Sequence, residues 1–135
     1  MDNVMTFLIN FALEHGISCM VCPDLPDHIP HSASSKNRKI LINPNYGSKY
    51  ELPFATAHEL GHVLNDDTGI RYYQSASVHN KCEYQANLTG IRLILKYCRL
   101  NDINISNPIK LCEHFGIPTN YEYIVSLILE GETID

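Results

Sequence analysis

The chain has 135 residues, 44% of them hydrophobic, a formal net charge of -5 and a pI near 5.7. That is enough apolar material for one self-supporting core, and the acidic balance excludes a general nucleic-acid binder, which must bring cations to displace counterions from phosphates. The five cysteines (Cys19, Cys22, Cys82, Cys98, Cys112) are odd in number and irregular in spacing, which argues against a disulfide framework and for a reducing compartment.

The N-terminal MDNVMTFLINFALEHG lacks the basic n-region and small-residue cleavage site of a secretory signal. No stretch reaches the roughly 18 apolar residues of a membrane span, so a cytoplasmic location is expected. Val4, Phe7, Leu8, Phe11 and Ala12 recur at helical spacing and Gly16 follows as a stop, which predicts a helix over 3–15. Ile17, Cys19 and Val21 then alternate as in a strand with one buried face. Cys19 and Cys22 have CxxC spacing, but no second such pair exists to complete a zinc ribbon, and a structural role is expected. PDLPDHIPHSASSKN reads as loop, and RKILINP as a strand ending near Pro44. Ser48 and Glu51 have capping-box spacing and Pro53 suits a first turn, so the next helix starts between 49 and 53 and runs to about Asn65. Residues 66–77 read as a surface connection, and 78–100 as a long helix with Leu88, Ile91, Leu95 and Cys98 inward. Two short helices follow, one from Asn107-Pro108 to Gly116 and one from a Thr119-x-x-Glu122 capping box to Gly131. They form a hairpin over 106–131 that should pack on the rest of a single domain spanning 1–135. A DNA-reading helix needs basic and amide side chains, whereas residues 119–130 carry Glu122 and Glu130 and neither Lys nor Arg. The basic groups Lys36, Arg38, Lys39 and Arg92, Lys96, Arg99 read as solvated faces.

The chemistry concentrates in FATAHELGHVLN, residues 54–65. On a helix, positions i and i+4 share a face, so His58 and His62 can aim imidazole nitrogens at one point. Glu59 is rotated about 100° away, off the ligand face but placed to reach a water at a metal's open position, which is the general-base position of an HExxH zinc site. Catalytic zinc needs a third protein ligand. A metzincin-like continuation would need Gly at 65 and His or Asp at 68, where the chain has Asn65 and Thr68. Asp66 and Asp67 continue the same helix, too far along its axis to converge with His58. Glu83, at the start of the next long helix, can be brought back across the first and is the expected third ligand. A His₂Glu set takes zinc and also accepts manganese or iron.

The arrangement of Ile40 to Asn43, then FATAHELGHVLN, then CEYQANL resembles the ImmA/IrrE family of zinc-dependent metallopeptidases. The resemblance spans roughly 17–100 and is most specific across 54–65 and 83–87. It implies an α+β fold, mainly helical and zincin-like, with a small sheet of about three strands. It also implies one Zn2+ ion held by His58, His62 and Glu83, with Glu59 as base. Characterised members cleave or inactivate a transcriptional repressor, so the implied partner is a helix-turn-helix repressor of a phage or mobile element, with no direct nucleic-acid or membrane contact. A metal-structured antirepressor that binds its repressor without cleaving it is the alternative. An oxyanion stabiliser is also needed; Tyr72, Tyr73 and His79, all between the ligand helices in sequence, are the candidates. Leu88-Thr89-Gly90 departs from the family pattern, at positions expected to affect packing more than chemistry.

Overall fold

The computed structural model describes residues 3–66 and 75–131. Its sheet is built around β3 (Lys39–Ile42), which pairs in parallel with β1 (Ser18–Val21) and antiparallel with β2 (Ser32–Ser34). Ile40 and Ile42 are buried while Lys39 is exposed, the period of two expected when one face of a strand enters a core. Five helices are described: α1 (Asn3–Glu14), α2 (Leu52–Leu64), α3 (Ala76–Leu100), α4 (Pro108–Phe115) and α5 (Glu122–Leu129). The fold is thus α+β and mainly helical, as the sequence led one to expect. No helix among the described residues is long and apolar enough to cross a membrane.

The core joins Val4, Leu8 and Ala12 of α1 and Ile17 to Ile40 and Ile42, Leu60 and Val63 of α2, and Ile91, Ile94, Leu95 and Cys98 of α3. Leu88, Ile91, Leu95 and Cys98 all face inward, as their spacing predicts. Within the C-terminal hairpin, Leu111, Cys112, Phe115 and Val125 are buried, and Phe115 meets Tyr97 of α3 edge-on with ring centroids 6.2 Å apart. Gly116 ends α4 with a positive φ of 76°, and a β-carbon there would lie 2.6 Å from Tyr50 O and from Glu51 Cα. Only glycine lets the hairpin approach the chain entering α2 so closely.

Several local expectations change. Residues 32–34, read as loop, form β2; a three-residue strand rich in serine has no pattern of its own and exists through pairing with β3. Of the alternating set, Ile17 is buried and Cys19 half-buried as expected, whereas Val21, at the end of β1, is 41% exposed. Neither capping box forms. Ser48 donates to the Glu51 carboxylate instead of capping a backbone N–H, and Thr119 enters a 3-10 turn, Thr119–Tyr121, that leads into α5 without a side-chain cap. α3 begins at Ala76, ahead of the expected 78, because the Ser75 hydroxyl accepts from Val78 N at 3.1 Å. Residues 67–74 of the expected surface connection lie outside the described residues.

The loop between β1 and β2 is held by two asparagines. Asn43 is fully buried; its Nδ2 donates to Pro26 O and Ile29 O, both at 2.8 Å, and its Oδ1 accepts from Asn45 N. Asn45 Nδ2 donates to Pro23 O and Leu25 O. His31 Nδ1 accepts from Asn43 N at 3.0 Å, a role that needs an unprotonated nitrogen, and burial lowers the pKa of this ring. Of the basic groups, Arg38 donates to His15 O and Lys96 lies over the Phe11 ring, so each also has a local structural contact.

Candidate metal centre

α2 starts at Leu52 with Pro53 in its first turn, where a missing N–H costs nothing. This carries His58 and His62 onto one face, with rings 4.7 Å apart and nearly perpendicular. Glu83 comes from the second turn of α3. His58 Nε2 lies 3.2 Å from Glu83 Oε1, and His62 Nε2 lies 2.7 Å from Glu83 Oε2. One ligand atom from each of the three residues falls within 4.8 Å of the others, a group that could hold a metal ion. Donors about 2.0–2.2 Å from a tetrahedral zinc stand roughly 3.3 Å apart; the 3.2 Å pair matches that spacing, and the 2.7 Å pair, at hydrogen-bond distance, has to open by about 0.6 Å to admit an ion.

The approach of the two helices makes this convergence possible. A β-carbon on Gly61 would sit 2.6 Å from Ala86 O, and one on Gly90 would sit 3.1 Å from His58 N. Glycine and alanine at these crossing points let the backbones touch, and a carboxylate, with its short reach, can then lie between the histidines. The 88–90 departure therefore falls on packing: Leu88 is fully buried and Gly90 abuts the backbone of α2. At the far end of α2, Ser35 donates to His62 O at 3.0 Å. That carbonyl is among those a helix leaves without an internal partner at its C-terminus, so the turn between β2 and β3 anchors the backbone of His62.

Glu59 is half-buried beside this cluster. Burial raises its pKa; the neighbouring His58 and His62 oppose the rise, and the Glu83 carboxylate adds to it. The carboxylate is thus pushed in the direction that makes it a better proton acceptor.

The sequence candidates for oxyanion stabilisation fare differently. Tyr72 and Tyr73 lie outside the described residues. His79 does not lie between the helices; it is half-buried within the first turn of α3, one turn before Glu83 and on the same face. Asp66, the weaker ligand candidate, is past the end of α2 with a positive φ of 57° and is not in the cluster. Two residues were missed. Asn87 Oδ1 lies 2.6 Å from His58 Nδ1, and Asn87 Nδ2 donates to the Tyr121 hydroxyl at 2.8 Å. Asn87 had a signal, an amide one helical turn after the candidate ligand Glu83; Tyr121, 34 positions from Asn87, had none.

No curated protein and no solved structure gives a significant match to the chain. The model of a peptidase family described as IrrE N-terminal-like domain matches residues 12–122, which hold the sheet, both helices of the cluster, and Tyr121. With most of its length matched, the chain belongs to this family and is a metallopeptidase-type domain of the ImmA/IrrE kind that its motifs resemble.

Proposed function

We propose that the protein is a zinc-dependent endopeptidase in which His58, His62 and Glu83 hold one ion and Glu59 is the general base. The observation that carries this reading is the meeting of both Nε2 atoms with the two oxygens of one carboxylate, 3.2 and 2.7 Å away, beside a glutamate whose basicity burial raises. Zinc, when bound, supplies a Lewis acid that polarises the scissile carbonyl and acidifies water. Glu59 accepts the proton of the attacking water and passes it to the leaving amine nitrogen. Its own backbone stays fixed because it lies between two ligands on one helix. His79, on the face of Glu83, is the described candidate for a donor to the carbonyl oxygen in the transition state.

A peptidase acts on a protein or peptide. The resemblance to ImmA/IrrE supports a helix-turn-helix repressor of a phage or mobile element as the substrate and an antirepressor role in the cytoplasm. The test is to mix the purified protein with the candidate repressor, with zinc or with chelator, and read fragments by intact mass. Fragments that require both metal and Glu59 are expected, and Glu59→Gln should lower cleavage by at least about 10²-fold. Equal cleavage by Glu59→Gln, or a purified protein that takes up no stoichiometric zinc, would refute the reading.

A further inference from the structure

Behind His58, on the side of the ring away from the cluster, runs a hydrogen-bond chain that the mechanism above does not use. Asn87 sits on α3 one turn after Glu83, and its Oδ1 faces His58 Nδ1 at 2.6 Å. Its Nδ2 donates to the hydroxyl of Tyr121 at 2.8 Å. Tyr121 belongs to the 3-10 turn that precedes α5, so the chain links the C-terminal hairpin to one member of the His-His-Glu cluster.

We propose that Tyr121 is a positioning residue for the metal centre, holding Asn87 so that the Asn87 carbonyl keeps the His58 proton on Nδ1 and leaves the Nε2 lone pair facing Glu83. The proposal rests on the metal-centre reading above. A neutral imidazole carries one N–H, and an amide oxygen can only accept, so the 2.6 Å contact puts that N–H on Nδ1. The remaining lone pair is on Nε2, the atom 3.2 Å from Glu83 Oε1. The same contact fixes the ring plane, which a single coordinate bond to an ion leaves free to swivel.

Asn87 needs holding in turn. The terminal torsion of an asparagine is broad, and a part-buried amide whose NH₂ had no partner would gain by turning toward water. Tyr121 supplies the partner, and its own ring is packed against Tyr84, the neighbour of Glu83, with centroids 6.2 Å apart and planes 28° from parallel. Because Nδ1 and Nε2 are on opposite sides of the ring, Tyr121 stands behind the ligand and touches no reacting atom.

Zinc affinity by chelator competition, and the visible spectrum of the cobalt-substituted protein, would be measured on the full chain for wild type, Tyr121→Phe, Asn87→Leu, Asn87→Asp and the Tyr121→Phe/Asn87→Leu double variant. Losing a hydrogen-bond partner of a metal-binding histidine costs about 10–100-fold in affinity, which is the loss expected for Asn87→Leu. Asn87→Asp, which still accepts from Nδ1–H and can accept from the tyrosine, should stay within about threefold of wild type. Tyr121→Phe should lose roughly three- to tenfold and shift the cobalt bands, and the double variant should be no weaker than Asn87→Leu alone, because Tyr121 acts through Asn87. A purely structural tyrosine would lower the melting temperature of the metal-free protein and leave the affinity and the cobalt spectrum unchanged. That result overturns the proposal, as does a double variant whose losses multiply. A wild-type protein that binds no zinc would instead overturn the metal-centre reading itself, before any variant is compared. If Asn87→Leu fails to fold, Tyr121→Phe, which deletes one hydroxyl, decides alone.

Discussion

Gly61→Ala tests whether helix approach sets the geometry of the cluster. The added methyl would stand 2.6 Å from Ala86 O, 3.1 Å from Ala86 Cα and 3.2 Å from Ala86 C, where ordinary contact begins at 3.4 Å. The worst contact is short by about 0.8 Å, and all three atoms are backbone, so α3 must move rather than a side chain turn aside. Glu83 lies one turn before Ala86, and Gly61 is the neighbour of His62, so the displacement passes into the 2.7 and 3.2 Å contacts. Metal–ligand distances tolerate only about 0.2 Å. Overpacking of this kind costs about 1–3 kcal/mol, offset by roughly 1 kcal/mol from replacing glycine in a helix interior. The metal-free variant should therefore be destabilised by no more than about 2 kcal/mol, while zinc affinity falls at least about tenfold, or 1.4 kcal/mol. Thermal melts with and without zinc separate the two effects, since the rise in melting temperature on adding zinc reports binding. Gly61→Ala that melts above wild type and keeps its zinc affinity would refute the reasoning, because helix propensity alone gives that outcome. Gly90→Ala is the graded control: its closest contacts are 3.1–3.3 Å, and it should perturb both measurements less.

Asn43→Ala removes the donor to two loop carbonyls and the acceptor for Asn45 N, and should cost about 2–3 kcal/mol in denaturant unfolding; limited proteolysis should then cut first within 23–31, and cutting elsewhere would contradict the latch. Ser35→Ala leaves the His62 carbonyl without its partner and should cost about 1 kcal/mol, with zinc affinity falling alongside. Burial pushes the Cys98 and Cys112 thiols up to about 11, Glu122 adding to the rise at Cys112. The unfolded chain ionises them near 9.0, so their contribution to stability is whole below pH 9 and is lost as the pH climbs toward 11. Unfolding midpoints across that window should fall less steeply in Cys98→Ala than in wild type when each is compared with its own value at pH 8.

What the sequence made legible was what depends on neighbours in the chain. The stripe Leu88, Ile91, Leu95 and Cys98, the cap at Asn107, the stop at Gly116 and the one-face geometry of His58 and His62 are all set within a turn or two, and each appears where the pattern puts it. The failures are of another kind. β2 exists through pairing with β3, and Val21 is exposed although it shares the alternation of the buried Ile17. The Ser48 and Thr119 boxes had the right letters, but Ser48 donates to the Glu51 carboxylate and Thr119 enters a 3-10 turn, so neither caps a helix N–H. Glu83 was reachable because only an acid on the next helix could return to the histidines, whereas the dependence of Asn87 on Tyr121 joins segments that no local period relates.

The cluster follows from two helical pairs set against each other. α2 presents His58 and His62 at i and i+4; α3 presents Glu83 and Asn87 at the same interval. With Gly61 seated on Ala86 and Gly90 on the backbone at Ala57 and His58, the two pairs interleave. Glu83 meets both imidazoles at their Nε2 atoms, and Asn87, one turn further along, meets His58 from behind at Nδ1. Sliding α3 by a turn would bring the Asn87 amide to the place of the Glu83 carboxylate and carry that carboxylate away from the histidines. The small residues at the crossing therefore do more than permit closeness. They fix the register, and the register decides which side chain of α3 meets both imidazoles at Nε2 and which meets His58 at Nδ1.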